Sequence, residues 1–515
     1  VKHSRTLWGL IAARADHSAQ RLFLRDEAGR TLTFGEYRDA AEEVAAGLQA
    51  MGIGAGSTVA WQLPTWQEAL LLTAALARLG ARQVPMLPML REPSVAFICR
   101  QVQADLLVVP KLWKGFDHAA MAAAVGAQRP GLRVLAIDKG ELPRATADTL
   151  PPAPVDAPDE QAARWVFYTS GTTADPKGAL HGDASLIATA FGMVAVLELA
   201  ADDVVPLVFP FTHIGGFVWL VSHLLVGCEC LLVETFGADV LPYLKRHRVT
   251  VAGAGATFAQ TYLKAQREAP GDPVMPRLRC VTGGGSTRPP QLHYDVKTEL
   301  NCAGFISGYG LTECPIAVMN TVRDPDDKLA VSEGRALPGM RIKIVAADGR
   351  RAAPGETGVI WLHGPHRCLG YVDAALNEGA FDDEGYLDSG DIGALDADGW
   401  LTVTGRAKDI IIRKGENISA KKVEDALYQH PQIADVAVIG LPDAERGELA
   451  CAVLELRAGG DAPTLQELAA FGLQKGLLKH ETPERLERVE RMPRNPSGKV
   501  LKEQLRQRFG AAKPA

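Results

Sequence analysis

Apolar residues recur along this chain with two different periods. After Thr33-x-x-Glu36, the residues Tyr37, Ala41, Val44, Leu48 and Met51 fall three or four apart. That spacing predicts a helix with one buried stripe, and the Thr/Glu pair ahead of it predicts a capping box. Gly52, Gly54 and Gly56 break the pattern, and Thr58 to Leu63 predicts a strand. Leu106 to Val109 and Val134 to Ile137 are short β-branched runs of the kind used by parallel strands buried on both faces. Alternating helix and strand of this kind predicts an α/β architecture. Pro143 to Pro158, rich in Pro, Ala and Asp, predicts a surface connection, and Trp165 to Tyr168 predicts another strand. From Pro338 to Thr404 the elements are short, with turn signals at Asp348-Gly349, Pro354-Gly355, Glu384-Gly385 and Asp398-Gly399. These predict a β-rich subdomain.

The pattern changes again beyond Lys408. Ser419 to Gln429 predicts a helix, Val436 to Ile439 and Cys451 to Leu456 predict strands, and Thr464-x-x-Glu467 predicts a second capped helix. A chain of 515 residues exceeds the roughly 250–300 residues at which single cores stop growing. The expected division is a large N-terminal domain, residues 1–407, and a small α+β domain, residues 408–515. The longest apolar stretch, Phe217 to Val233, contains His223 and Glu229. A bilayer span needs about 20 largely apolar residues, so buried core is expected there. The short run Leu7 to Ala13 is interrupted by Arg14 and Asp16, which suits an amphipathic helix and not a secretory leader.

Composition narrows the function classes. Hydrophobic residues make up 47% and the net charge is −6. This is a globular composition without a basic field for nucleic acid, so any anion site must be local. Eight cysteines occur with no C-x-x-C pair, which excludes the usual zinc and redox spacings. Reduced, structural thiols in a cytoplasmic protein are expected.

One loop carries chemistry. The predicted strand ending at Tyr168 runs into Thr169-Ser170-Gly171-Thr172-Thr173-Ala174-Asp175-Pro176-Lys177-Gly178. Small residues let backbone N–H groups approach a polyanion, the hydroxyls add donors, and Lys177 adds charge. In a Walker A loop Gly precedes Lys and Ser/Thr follows it. Here the hydroxyls come first and the lysine late, so the loop is of another kind.

This loop resembles the signature of the adenylate-forming superfamily, which includes acyl- and aryl-CoA synthetases, adenylation domains of peptide synthetases and firefly luciferase. Further motifs follow in order. Phe209 to Gly216 (FPFTHIGG) resembles the segment with a histidine beside the acyl pocket. Gly283-Gly284-Gly285-Ser286 resembles the turn along adenine, and Gly308 to Glu313 (GYGLTE) matches GYGxTE. Gly390-Asp391 closes a segment similar to YxTGD, and Gly405 to Asp409 (GRAKD) resembles the hinge motif. Gly415-Glu416-Asn417 comes next, and Pro493 to Lys499 (PRNPSGK) matches the terminal motif. The resemblance covers the whole chain. The resemblance implies a mobile C-terminal domain and an ATP-dependent carboxylate–CoA ligase that forms acyl-AMP and pyrophosphate, then acyl-CoA and AMP.

The resemblance also implies roles. Thr169, Ser170, Gly171, Thr172, Thr173 and Lys177 would hold the β- and γ-phosphates. Glu313, helped by Thr172, would hold Mg²⁺, a cation suited to oxygen ligands. Thr312 would contact the α-phosphate. Gly283, Gly284, Gly285, Ser307, Gly308, Tyr309 and Gly310 would lie along the nucleotide, Asp391 would accept the ribose hydroxyls, and Arg406 would support ribose and phosphate. Lys499 is the expected catalytic cation, with Thr312, Glu313 and His213 as its partners. Lys408 matches the hinge, and Gly415, Glu416 and Asn417 the face that meets coenzyme A. Lys421 and Lys422 lie nearby and could attract its phosphates or form a solvated face. Phe217, Gly255 and Thr257 are expected in the acyl pocket.

Departures from the motifs spare Asp391 and bear on the thiol side, not on adenylation. Ser389 stands where Thr is preferred and Asp388 where a basic residue is common, while Ala420 and Lys422 replace a Pro and a Glu. No buried charge is suggested to pair with an amino group, which disfavours amino-acid substrates. Val109 to Asp117 resembles the branch acting on medium-chain and alicyclic acids, so these rank first, aromatic acids second and steroid side-chain acids third. The alternatives are an acyl-AMP ligase loading a carrier protein, or an aryl-CoA ligase. A regulatory nucleotide binder would have lost Lys499, Glu313 or Asp391, and all three are present. Expected partners are a small carboxylic acid, ATP and coenzyme A, with a homodimer possible and no nucleic acid.

Overall fold

A computed structural model describes residues 4–154, 162–169, 176–285, 288–414, 416–443, 445–457, 462–495 and 499–510. The predicted capping box is formed. The Thr33 hydroxyl accepts from Glu36 N–H at 3.2 Å and the Glu36 carboxylate from Thr33 N–H at 2.7 Å. They open the helix Phe34–Ala50, which buries Tyr37, Ala41, Val44 and Leu48. The connection that follows Pro143 is less free than expected. It crosses this helix at Gly47, where a Cβ would lie 2.4 Å from the Pro143 carbonyl.

Four sheets contribute to one continuous core that runs in sequence from Leu7 to Leu401. The seven-stranded sheet has the order Gly370–Tyr371, Gly178–His181, Trp165–Tyr168, Arg82–Pro85, Thr58–Trp61, Leu106–Pro110, Arg133–Ile137. Its last five strands are parallel, and Gly178–His181 joins them antiparallel. A second core, including Val84, Leu107, Val109 and Val166, covers its other face, which explains the uninterrupted apolar strands. A five-stranded sheet contains Cys280–Gly284, Phe305–Leu311 and Cys314–Met319 as neighbours, and a four-stranded sheet contains Leu22–Arg25 and Glu229–Leu232. The stretch from Phe217 onward is a helix, Ile214–Val226, packed inside the core. No helix among the described residues is long and apolar enough to cross a membrane.

The β-rich segment is an antiparallel sheet of Arg341–Val345, Gly358–His363, Leu387–Leu395 and Leu401–Arg406. The last strand leads into a short turn, Ala407–Asp409, and then into a separate sheet. There Ile433–Asp443 and Gly447–Leu456 pair along their length. Val436 and Val438 face one core while Ala437 and Ile439 face another, as period-two alternation requires. All eight cysteines are free, and all but half-buried Cys302 are buried.

Tyr262 ties this framework to the cleft described below. Its buried hydroxyl donates to the Gly253 carbonyl at 2.7 Å, fixing the turn that leads to Gly255. Tyr262→Phe leaves that buried carbonyl unpaired and should lower stability by about 1–3 kcal/mol; denaturant unfolding followed by tryptophan fluorescence measures this.

Candidate active site

The site is assembled from the ends of strands in different sheets. Trp165–Tyr168 and Gly178–His181 form a hairpin whose mouth is closed by Thr169 N–H donating to the Lys177 carbonyl at 2.9 Å. The loop they bracket carries the expected phosphate residues Ser170, Gly171, Thr172 and Thr173, which lie outside the described residues. Lys177 is exposed, and its ammonium sits 5.7 Å from the centre of the Tyr371 ring.

A second hairpin meets this one. Strands Phe305–Leu311 and Cys314–Met319 pair with Leu311 opposite Cys314, so Thr312 and Glu313 form the two-residue tip. Each is held from the seven-stranded sheet or its approach. His181 Nε2 lies 2.9 Å from the Thr312 carbonyl; since a carbonyl only accepts, Nε2 carries the proton. The Ser185 hydroxyl, 3.0 Å away, can then donate to Nδ1. Cys368 N–H donates to the Glu313 carbonyl at 2.7 Å. The Tyr371 hydroxyl donates to Glu313 Oε1 at 2.8 Å.

Glycines at the crossing of these strands are required by contact. A Cβ on Gly283 would lie 2.2 Å from Gly255 N, one on Gly284 2.2 Å from the Gly308 carbonyl, and one on Gly310 2.2 Å from the Pro315 carbonyl. Gly285 turns away with φ +74°. Ser307 is buried and donates to the Glu333 carboxylate.

Beside these strands is a cleft of about 560 Å³, lined by Tyr309, Asp391, Arg406, Lys408, Thr257 and Lys499 among others. Asp391 is buried and doubly held. Tyr309 donates to Oδ2 at 2.9 Å and Arg406 Nε to Oδ1 at 2.8 Å. Ser389, where the motif prefers Thr, still receives Asp391 N–H at 3.1 Å and donates to the Ile360 carbonyl at 2.6 Å. Lys499 enters from the C-terminal unit. Its N–H donates to Asn495 Oδ1, and Asn495 N–H to its carbonyl, both at 2.8 Å. Burial, then the neighbouring Arg406 and Lys408 charges, push its ammonium down to about 8, while Asp391 and Asp409 oppose this. Lys408 lies in the turn joining the two units. The units also meet where Tyr428 and Gln260 hydrogen-bond, and where Ser419 Oγ donates to the Thr404 carbonyl at 2.6 Å.

His213 caps the helix Ile214–Val226 by accepting Gly215 N–H at Nδ1, 3.1 Å away. Burial alone holds its pKa down at about 4, so the ring is neutral at pH 7 with its proton on Nε2. Gly255 precedes the helix Ala256–Glu268 with φ +116°, a conformation that needs glycine, and Ala256 and Thr257 open onto the cleft. Phe217 is placed otherwise. It is 1% exposed and enclosed by Phe211, Trp165 and Phe167, with ring centres at 4.6, 4.6 and 5.2 Å; it lies within the core and does not line the cleft. Glu416 is exposed on the hairpin Ile410–Arg413/Glu416–Ser419 and also does not line it. Gly415 and the side chain of Asn417 lie outside the described residues. Lys421 pairs with Asp425 at 2.5 Å and Lys422 with Glu481 at 2.6 Å.

Two family descriptions match this chain: AMP-binding enzyme over residues 11–372, and AMP-binding enzyme C-terminal domain over residues 422–499. The chain belongs to the AMP-binding enzyme family. Among its relatives is the medium-chain fatty-acid–CoA ligase of Escherichia coli (strain K12), 33% identical over 97% of this chain and 91% of that protein. The salicyl-AMP ligase/salicyl-S-ArCP synthetase of Mycobacterium tuberculosis is also 33% identical, over 99% of this chain and 91% of that protein. The O-succinylbenzoate coenzyme A synthetase of Bacillus subtilis, solved with ATP and magnesium ion, superposes with a TM-score of 0.83 at 27% identity, covering 96% of this chain and 99% of that one. This AMP-binding enzyme is therefore an ATP-dependent adenylating carboxylate ligase of the acid–thiol class, a family whose co-substrates are ATP and coenzyme A.

The donor set suits magnesium, which this family generally requires. Among the described residues, no group of three or more His, Cys, Asp or Glu side chains is placed to hold a metal ion. Mg²⁺ is usually held by one or two carboxylates and substrate phosphates. Glu313 is buried, and its Oε2 has no protein partner among the described residues.

Sequence reasoning missed His181, Tyr371 and Gln260. Only the position of His181, just after the phosphate loop, hinted at a role.

His181, His213 and His223 are all held down to about 4, chiefly by burial. An ordinary histidine titrates near 6.5, so between about 6.5 and 4 the unfolded chain binds protons that the folded AMP-binding enzyme refuses. Their contribution to stability is complete above about pH 6.5 and is lost as pH falls toward 4. NMR should find these three rings neutral at pH 5; protonation of all three near pH 6 would overturn this.

Proposed function

We propose that this AMP-binding enzyme activates a medium-chain or alicyclic carboxylic acid as its acyl-adenylate and passes the acyl group to free coenzyme A. The observation that carries the first half is Lys499, brought from the C-terminal unit into the cleft beside Asp391 and Arg406. A carboxylate attacking the α-phosphate is an anion meeting an anion, so charge neutralisation and alignment are the central requirements. In this reading the acid's oxygen forms the new bond to the α-phosphorus, and the bond to the bridging oxygen breaks as pyrophosphate leaves. Lys499 spans both anions, and a flexible stem with a point charge suits that task. Asp391 accepts the ribose hydroxyls on lone pairs left free by Tyr309 and Arg406. Thr312 contacts the α-phosphate, and Lys177 contacts the terminal phosphates together with the hydroxyls of its loop. His213 donates from Nε2 to the acid. Magnesium, when bound, supplies further neutralisation of the phosphate charge.

The division at residues 1–407 and 408–515, with Lys408 as hinge, belongs to the same proposal. The thiol step needs Lys499 withdrawn, and a turn as short as Ala407–Asp409 suits rotation of one unit against the other. The Gly415-Glu416-Asn417 face, outside the cleft here, would then approach the adenylate. The medium-chain preference is supported by the Escherichia coli relative. A second reading, transfer to a carrier protein, is favoured by the equally similar salicyl-AMP relative.

A panel of carboxylic acids with ATP and Mg²⁺, with coenzyme A or a carrier protein, separates these readings. Pyrophosphate release with aliphatic acids and an acyl-CoA product are expected. Lys499→Ala should lose about 100-fold or more in adenylation, on the order of 3 kcal/mol of transition-state stabilisation, while still forming thioester from supplied acyl-adenylate. Adenylate without acyl-CoA, but with an acylated carrier, would establish the second reading. Because charged Lys499 is required, kcat/KM for ATP should fall as pH rises through about 8, and a profile flat to pH 10 would count against the role given to Lys499.

A further inference from the structure

Tyr371 stands where two charged groups of the site converge. Its hydroxyl donates to Glu313 Oε1 at 2.8 Å, and the face of its ring lies 5.7 Å below the Lys177 ammonium. The residue itself has little freedom. Tyr371 lies opposite Ala179 in the strand pairing, its N–H donates to Asn377 Oδ1 at 3.0 Å, and it is 8% exposed. Glu313 and Lys177 sit on different hairpins, and Tyr371 touches both.

We propose that Tyr371 is a positioning residue for the metal-bound nucleotide: its hydroxyl fixes the Glu313 carboxylate so that Oε2 is presented to the divalent cation, while its ring holds Lys177 toward the same phosphates. This rests on the reading of Glu313 as the cation's protein ligand. A carboxylate free to rotate would offer either oxygen, or neither, and would lose that freedom on binding the metal. One oxygen engaged by a fixed donor removes that cost. A carboxylate ligand is usually hydrogen-bonded in turn, and removing such a supporting bond typically weakens metal affinity about 10- to 100-fold. Retaining the ring in Tyr371→Phe leaves the Lys177 contact in place and isolates the hydroxyl.

The test titrates Mn²⁺ into the full-length protein with α,β-methylene-ATP, reading free Mn²⁺ by electron paramagnetic resonance, for the native protein, Tyr371→Phe and Glu313→Gln. Tyr371→Phe is expected to bind Mn²⁺ about 10- to 100-fold more weakly, with metal-free analogue affinity unchanged. The Mg²⁺ concentration giving half-maximal pyrophosphate release should rise in parallel. A purely structural role would lower the thermal midpoint without moving the Mn²⁺ titration. If Tyr371→Phe overlays the native curve while Glu313→Gln does not, the inference is overturned and the role of Glu313 stands. Should Glu313→Gln overlay it as well, the reading of Glu313 falls and the inference falls with it.

Discussion

Two carboxylates, Glu313 and Asp391, sit almost out of reach of water and have to be held in place. Burying such groups is costly unless donors meet them. Each is met by a phenol, Tyr371 for the first and Tyr309 for the second, and Asp391 also by the guanidinium of Arg406. The rest of the site follows from that arrangement. Both phenols come from a different sheet from the acid they meet, whereas Arg406 lies opposite Asp391 in the same sheet, so three sheets must approach closely. The glycines at 284 and 310 let neighbouring strands within the five-stranded sheet pack closely, and Gly283 lets the Gly255 turn reach that sheet.

The same constraint explains the order of elements. Glu313 lies at a hairpin tip in the five-stranded sheet, and Tyr371 on the edge strand of the seven-stranded sheet. The strand Gly178–His181, one half of the phosphate-loop stem, lies between the Tyr371 strand and Trp165–Tyr168. His181 on that strand reaches the Thr312 carbonyl. A shift of either hairpin would therefore break hydrogen bonds in both, which makes the phosphate-loop stem and the Thr312–Glu313 tip one mechanical body.

Much of this was legible in the residues. Capping boxes, apolar runs and turn dipeptides depend on neighbours in sequence, and Thr33–Glu36, Trp165–Tyr168 and the turns near Gly349 and Gly399 formed as expected. The motifs that mark nucleotide chemistry were legible because they are dense runs of unusual composition. Tyr371 and His181 were not. Each is one polar residue in an apolar strand, and what distinguishes it is a partner more than 50 positions away. Phe217 shows how motif adjacency and helix periodicity can point different ways. Adjacency to FPFTHIGG suggested the pocket, but helical periodicity turned its ring inward to Phe211 and Trp165.

The glycine crossings also bear on how such a cleft can diversify. At Gly283, Gly284 and Gly310 any added carbon would strike backbone, which cannot move aside as a side chain can. These positions are closed to variation whatever acid is handled. Ala256, Thr257 and Gln260 border the same cleft from a helix, with side chains that can grow or shrink. An engineer wishing to change what the cleft admits would therefore vary one wall and leave the other untouched.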